Sequence, residues 1–145
     1  MVVAGTPLYG IVQAGENSWI AGQFTDGTNP VPKSAITSAV YTLYELETED
    51  IINSRWRVDM MSAINADGSF RLALTPEDNA IVNPDTETLE THVIRFEFSW
   101  SDGTFTRQGI EEALFNVEKL VSPAQAGAQS EGAKAGDTMT ASTAI

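Results

Sequence analysis

The chain contains no cysteine, which excludes disulfide staples and thiolate metal sites. It has a single histidine, His92, so a zinc centre built on paired imidazoles is not expected. Basic residues are scarce: 8 Lys and Arg stand against 20 Asp and Glu, a formal net charge of −12. Neutralising a phosphate backbone takes clustered Lys and Arg, so no nucleic-acid partner is expected. The same acidic surplus predicts solubility and repulsion from anionic membranes. No apolar run approaches the roughly 18 residues that span a bilayer. The opening residues MVVAGTPLYGIVQAG lack a basic leader followed by an apolar run, so no signal peptide is expected and the product is expected in a cytoplasm, at least at first.

What remains is a chain of 145 residues, 42% hydrophobic, with its aromatic residues placed before Asn116. That length suits one domain. Residues 1–16 carry glycines at positions 5, 10 and 15 and a Thr6-Pro7 break, a composition that favours an extended N-terminal arm. Residues 17–121 read as a β-domain. Residues 122–145 (SPAQAGAQSEGAKAGDTMTASTAI) have no aromatic residue and too little apolar area to offset backbone ordering, so an extended or disordered tail is expected.

Within the β-domain, the first strand runs from Ser18 to Phe24 and ends at the turn signal Asp26-Gly27. Residues 28–33 (TNPVPK) hold two prolines, which a central strand does not tolerate, and read as a crossing connection. Ile36 to Leu46 is a central strand with large apolar groups on both faces: Val40, Thr42, Tyr44 and Leu46 on one, Tyr41 and Leu43 on the other. Arg55 to Ile64 is read as the next strand, with Trp56, Val58 and Met60 on one side. The run Asn65-Ala66-Asp67-Gly68 signals a hairpin, and Phe70, Leu72 and Leu74 then alternate inward. After a polar connection over residues 75–90, Ile94, Phe96, Phe98 and Trp100 follow a two-residue period, the mark of a strand with one buried face. Residues 107–120 fit both a strand and a helix; the adjacent Asp102-Gly103 turn and the need to pair the preceding strand favour a strand. About seven short strands with turns at ten-residue intervals predict an all-β, immunoglobulin-like antiparallel β-sandwich with extended N- and C-terminal arms.

Few residues invite a chemical reading. His92 lies in a strand entry and no Gly-x-Ser-x-Gly elbow accompanies it, so it reads as a partly exposed strand residue rather than a triad member. Two acidic clusters stand out: Glu45, Glu47, Glu49 and Asp50, then Asp85, Glu87 and Glu90. Neither has the ordering of a dedicated calcium loop, and both read as solvated loops. A glycosidase pair among them would need two carboxylates set across a cleft, which spacing alone does not place. Trp19, Trp56 and Trp100 share their registers with other apolar residues and read as packing groups, the alternative being an exposed sugar-binding platform. Arg55, Arg57, Arg71 and Arg95 read as outward partners for the acidic excess. No catalytic, cofactor-binding or metal-ligating residue is assigned.

The runs Ala39–Glu45 (AVYTLYE), Asn65–Phe70 (NADGSF) and His92–Gly103 (HVIRFEFSWSDG), followed by a closing strand, resemble small immunoglobulin-like virion structural proteins of tailed bacteriophages. The resemblance covers about Ile36 to Leu120 and rests on hairpin turns and alternating strands; both terminal arms lie outside it. It implies a non-enzymatic virion structural protein without cofactors. The role implied is capsid decoration or cement, with head–tail joining or a neck position as the alternative. The major capsid protein or neck and portal proteins would be its partners, together with copies of itself, and its place would be the virion, assembled in the host cytoplasm. A carbohydrate- or receptor-binding β-sandwich is the reading from another class.

Overall fold

The computed structural model describes residues 2–4 and 10–120, and these form two β-sheets packed face to face. The first is built on β3 (Ser18–Asp26). It has β1 (Val2–Ala4) along one edge and β7 (Ser69–Leu74) along the other. The two-residue β4 (Asn29–Pro30) folds back on the end of β3. The second sheet has the order β2 (Ile11–Gln13), β9 (Thr106–Glu118), β8 (Leu89–Ser101), β5 (Ile36–Glu45) and β6 (Val58–Asp59).

The chain passes between sheets after β1 and after β2, and then, through the body of the domain, after β4, after β6 and again after β7. That order of crossings is the immunoglobulin-like one, so the expected all-β sandwich is the fold. One pairing departs from the antiparallel expectation: β2 runs parallel to β9, through Ile11–Asn116, Val12–Val117 and Gln13–Glu118. The segment read as a free N-terminal arm thus supplies an edge strand to each sheet, with the Thr6-Pro7 break lying between them in sequence. The tail expected over residues 122–145 lies outside the described residues.

The period-2 pattern explains the core. Ile94, Phe96, Phe98 and Trp100 of β8 face inward against Ile20 and Phe24 of β3 and Phe70, Leu72 and Leu74 of β7. Rings interlock across the gap, with centroids 4.9 Å apart for Phe24 and Phe98 and 5.2 Å for Phe70 and Phe96, separations at which tilted pairs attract. Each such side chain stabilises the fold by about 1.5–3 kcal/mol relative to exposure. The ambiguous segment at 107–120 is the strand β9, whose inward residues are fully buried only at Phe115 and Val117. Turn chemistry holds as read: Gly27, Gly68 and Gly103 all have positive φ at the expected turns.

The strand read over Arg55 to Ile64 is corrected. Only Val58 and Asp59 pair with β5, and a short 3-10 turn, Met61–Ala63, follows. Upstream, Glu49, Asn53, Ser54 and Arg57 all take positive φ, a conformation costly for non-glycine residues. The loop is held there by Ile52, buried in the core, and by the backbone bond from Leu43 N–H to the Arg55 carbonyl.

Candidate functional site

The loops at one end of the sandwich cover a cluster of buried polar side chains. Glu90 and His92 occupy the same face of β8 as Ile94, and Glu45 the same face of β5 as Leu43. All three are sealed from solvent. Glu90 accepts from Val82 N–H at 2.9 Å, Asn83 N–H at 3.1 Å, the Thr86 hydroxyl at 2.8 Å and His92 Nε2 at 2.6 Å. Glu45 accepts from Glu47 N–H, Thr48 N–H and the Asn83 amide. Burial pushes the Glu90 carboxyl up, but these donors outweigh it and hold it below the usual carboxylate range. Burial also depresses His92, against the pull of Glu90 and Glu45, so its ring is neutral at pH 7 and Nε2 carries the proton donated to Glu90.

A second knot lies beside it. Asp78, fully buried, accepts from Arg55 Nε at 2.8 Å, Asn53 Nδ2 at 2.9 Å and Thr75 N–H at 2.8 Å. Its carboxyl is raised by burial yet kept low overall by Arg55 and Asn53. The adjacent Asn79 donates to the Glu16 carbonyl at 2.6 Å and to the Ser18 hydroxyl at 2.9 Å. Asp78 and Asn79 thereby fasten three chain segments, at 14–18, 53–55 and 75–79.

Two readings of the sequence change here. His92, expected to be partly exposed, has none of its surface exposed, and Glu45 and Glu90, expected in solvated loops, are internal anchors. The reason is parity: 90 and 92 share the register of Ile94 and Phe96, and 45 shares that of Tyr41 and Leu43. Extending the alternation towards the strand ends would have found them. The rest of the two acidic clusters stays outside: Glu49 and Asp50 are exposed, and Glu47, Asp85 and Glu87 border, with Glu90, a pocket of about 250 Å³. Among the described residues no group of three or more His, Asp or Glu is placed to hold a metal ion. Chemically the buried cluster fastens loops, because its carboxylates are engaged by donors from the loops they hold, while His92 Nδ1 is left without a hydrogen-bond partner.

The tryptophans separate. Trp100 is buried and its indole N–H donates to Asp26 at 3.2 Å. Trp19 is half-buried beneath the Arg71 guanidinium, 4.1 Å from the ring centre. Trp56, expected to pack, is 66% exposed on the positive-φ loop. Arg57 and Arg95 behave as read, bonding Glu97 and Glu112 on the surface; Arg55 turns instead to the buried Asp78, and Arg71 lies over Trp19.

Further apolar surface lies on the outer face of the five-stranded sheet. Leu114, Val93, Tyr44 and Ile51 form one row across four chain segments. Val93 points away from the core, yet only 1% of it is exposed. Tyr44 beside it donates to Glu112 at 2.6 Å, and Arg95 bonds the same oxygen at 3.1 Å. No protein-family model matches this chain, and no curated protein is significantly similar to it. Among the described residues no helix is long and apolar enough to cross a membrane.

Proposed function

We propose that this chain is a non-enzymatic structural protein of a bacteriophage virion, a capsid decoration or cement protein that stabilises the particle through contacts of its body and terminal segments. Its partner would be the major capsid protein, and its site the virion, assembled in the host cytoplasm. A connector or neck position in the same virion, against portal or neck proteins, is the alternative placement. The resemblance carried by AVYTLYE, NADGSF and HVIRFEFSWSDG supports this. One observation carries it furthest: the buried ionisable groups serve to pin loops, while Ile110 and Leu114 on β9 and Ile51, Trp56 and Phe105 in the connections are turned outward. Such a molecule is suited to being a contact piece. Modest surfaces repeated on a symmetric lattice hold through avidity.

Co-sedimentation with capsids stripped of accessory proteins tests the reading. Uptake at hundreds of copies per particle is expected for decoration, and a handful of copies for the neck. Absence of binding would overturn both placements.

A carbohydrate- or receptor-binding module is the second reading, and Trp56 favours it. A flat indole presented on a strained loop is a suitable stacking platform for a sugar face. Saturable quenching of tryptophan fluorescence by a sugar, lost in Trp56→Ala, would establish that reading.

A further inference from the structure

β9 pairs with β8 along its whole length, from Thr106 to Glu118. On its other side β2 covers only Asn116, Val117 and Glu118. Among the described residues, no strand pairs with Thr106 to Phe115 on that side. Asn116 N–H donates to the Gly10 carbonyl, and the Glu118 carbonyl accepts from Ala14 N–H. Even-numbered residues therefore direct their backbone groups to this edge, and among the described residues those of Thr106, Gln108, Ile110, Glu112 and Leu114 meet no strand there, although β1 comes close to β9. An open row of this kind is a template for another strand. Two of the devices that blunt an edge, proline and a bulge, are missing here, since the register with β8 is unbroken; the charges that remain, Arg107, Glu111 and Glu112, limit which partner the edge accepts.

We infer that this edge pairs antiparallel with the same edge of a second copy, about a two-fold axis at Gly109. Identical antiparallel strands place residue i opposite residue j with a constant sum, and that sum must be even for the open backbone groups to meet. Centring on Glu111 sets two carboxylates face to face. Centring on Ile110 puts Arg107 opposite Ala113 and Glu111 opposite Gly109, so neither charge is matched. Centring on Gly109 puts Arg107 opposite Glu111 of the second copy, and symmetry repeats the pair. Directly opposed side chains lie about 4.5–5.5 Å apart at Cβ, within ion-pair reach.

Other features agree with this register. Glu111 makes no ion pair among the described residues, and Arg107 is held by Asp102 through Nε alone. Gly109 has no side chain to hold the strands apart at the axis. Ile110, 62% exposed, lies on the other face, diagonal to its symmetry mate. The overlap spans 106–112 and stops short of the residues that β2 covers. The two symmetry-related Arg107–Glu111 pairs let two strongly acidic chains approach where most of the surface would repel. The two five-stranded sheets become one continuous sheet, independent of the virion reading.

Sedimentation velocity of the full chain, from low to high micromolar concentration in physiological salt, tests the pairing. A dimer is expected. Arg107→Glu and Glu111→Arg should each weaken it by about tenfold or more, because each sets like charges opposite one another. The double variant, with the charges exchanged, should restore it. Glu111→Arg lowers the net negative charge, so its loss of dimer would not come from general repulsion. Ile110→Pro removes an N–H that β8 does not use and should abolish the dimer while leaving the β-sheet circular dichroism in place. The charge exchange leaves the backbone untouched, so its result stands by itself. A monomer at all concentrations would overturn the inference, as would a dimer indifferent to the charge reversals.

Discussion

His92 Nε2 lies 2.6 Å from Glu90 Oε2, two residues along the same strand, with both side chains closed off from solvent. The pair joins the start of β8 to the loop at 82–86, and it makes stability depend on pH. His92 is depressed in the folded state, so the unfolded chain binds that proton first, from its ordinary value of 6.5 downward. Glu90 and Asp78 are also depressed, from 4.5 and 3.8, and add their loss further down. The signs agree: stability is fully present above about pH 7 and falls in two stages on acidification. Thermal melts across this range should show the melting temperature dropping first below 6.5, with that stage missing in His92→Gln. A melting temperature unchanged from pH 7.5 to pH 5 would contradict the assignment.

Asp78→Ala should destabilise the protein by about 3–5 kcal/mol, because it strands Arg55, the Asn53 amide and the Thr75 N–H around a buried site. Arg55→Ala should cost less, since the Arg55 side chain is 30% exposed and Asp78 keeps its other donors. Urea unfolding of the two variants gives the order directly, and the reverse order would refute this account of the knot.

Phe96→Ala should lose about 3–5 kcal/mol, as truncation of a buried aromatic does. Trp56→Ala should stay within about 0.5 kcal/mol, because its ring touches mostly water. The contrast separates the two aromatic positions by chemical denaturation alone.

A methyl group at Gly109 would meet the Phe98 ring at 2.5 Å. Phe98 is itself packed between Phe24 and Trp100, with ring centres 4.9 and 5.3 Å away, so it has little room to yield. Gly109→Ala should therefore cost about 1–3 kcal/mol through overpacking, and a neutral melt would mean that the ring swings aside.

The strands with the cleanest alternation were legible from sequence. Phe70, Leu72 and Leu74, and Ile94 through Trp100, fall on the buried faces their period predicts. Asp-Gly turns were equally plain, because the glycine's positive φ is a local property. The buried carboxylates were not read, since what makes their burial tolerable is supplied by N–H groups of residues such as Val82 and Thr48, whose approach depends on the fold. Trp56 misled because its neighbours alternate like a strand, while Asp78 draws Asn53 and Arg55 into a loop instead. The parallel pairing of β2 has no local signature: three residues carry too short a pattern, and their partner lies about a hundred positions away.

That parallel pairing has a mechanical consequence. When force is applied at the start of β2 and at the end of β9, the load runs along both strands in shear, so their hydrogen bonds must give way together rather than one after another. Pulling apart the ends of the antiparallel β8–β9 hairpin would instead open its bonds in sequence. Force spectroscopy with handles at residues 10 and 119 should accordingly record a higher rupture force than handles at 89 and 118. A subunit built in this way would pass tension on the N-terminal segment into both sheets at once, and would stretch little before it yields.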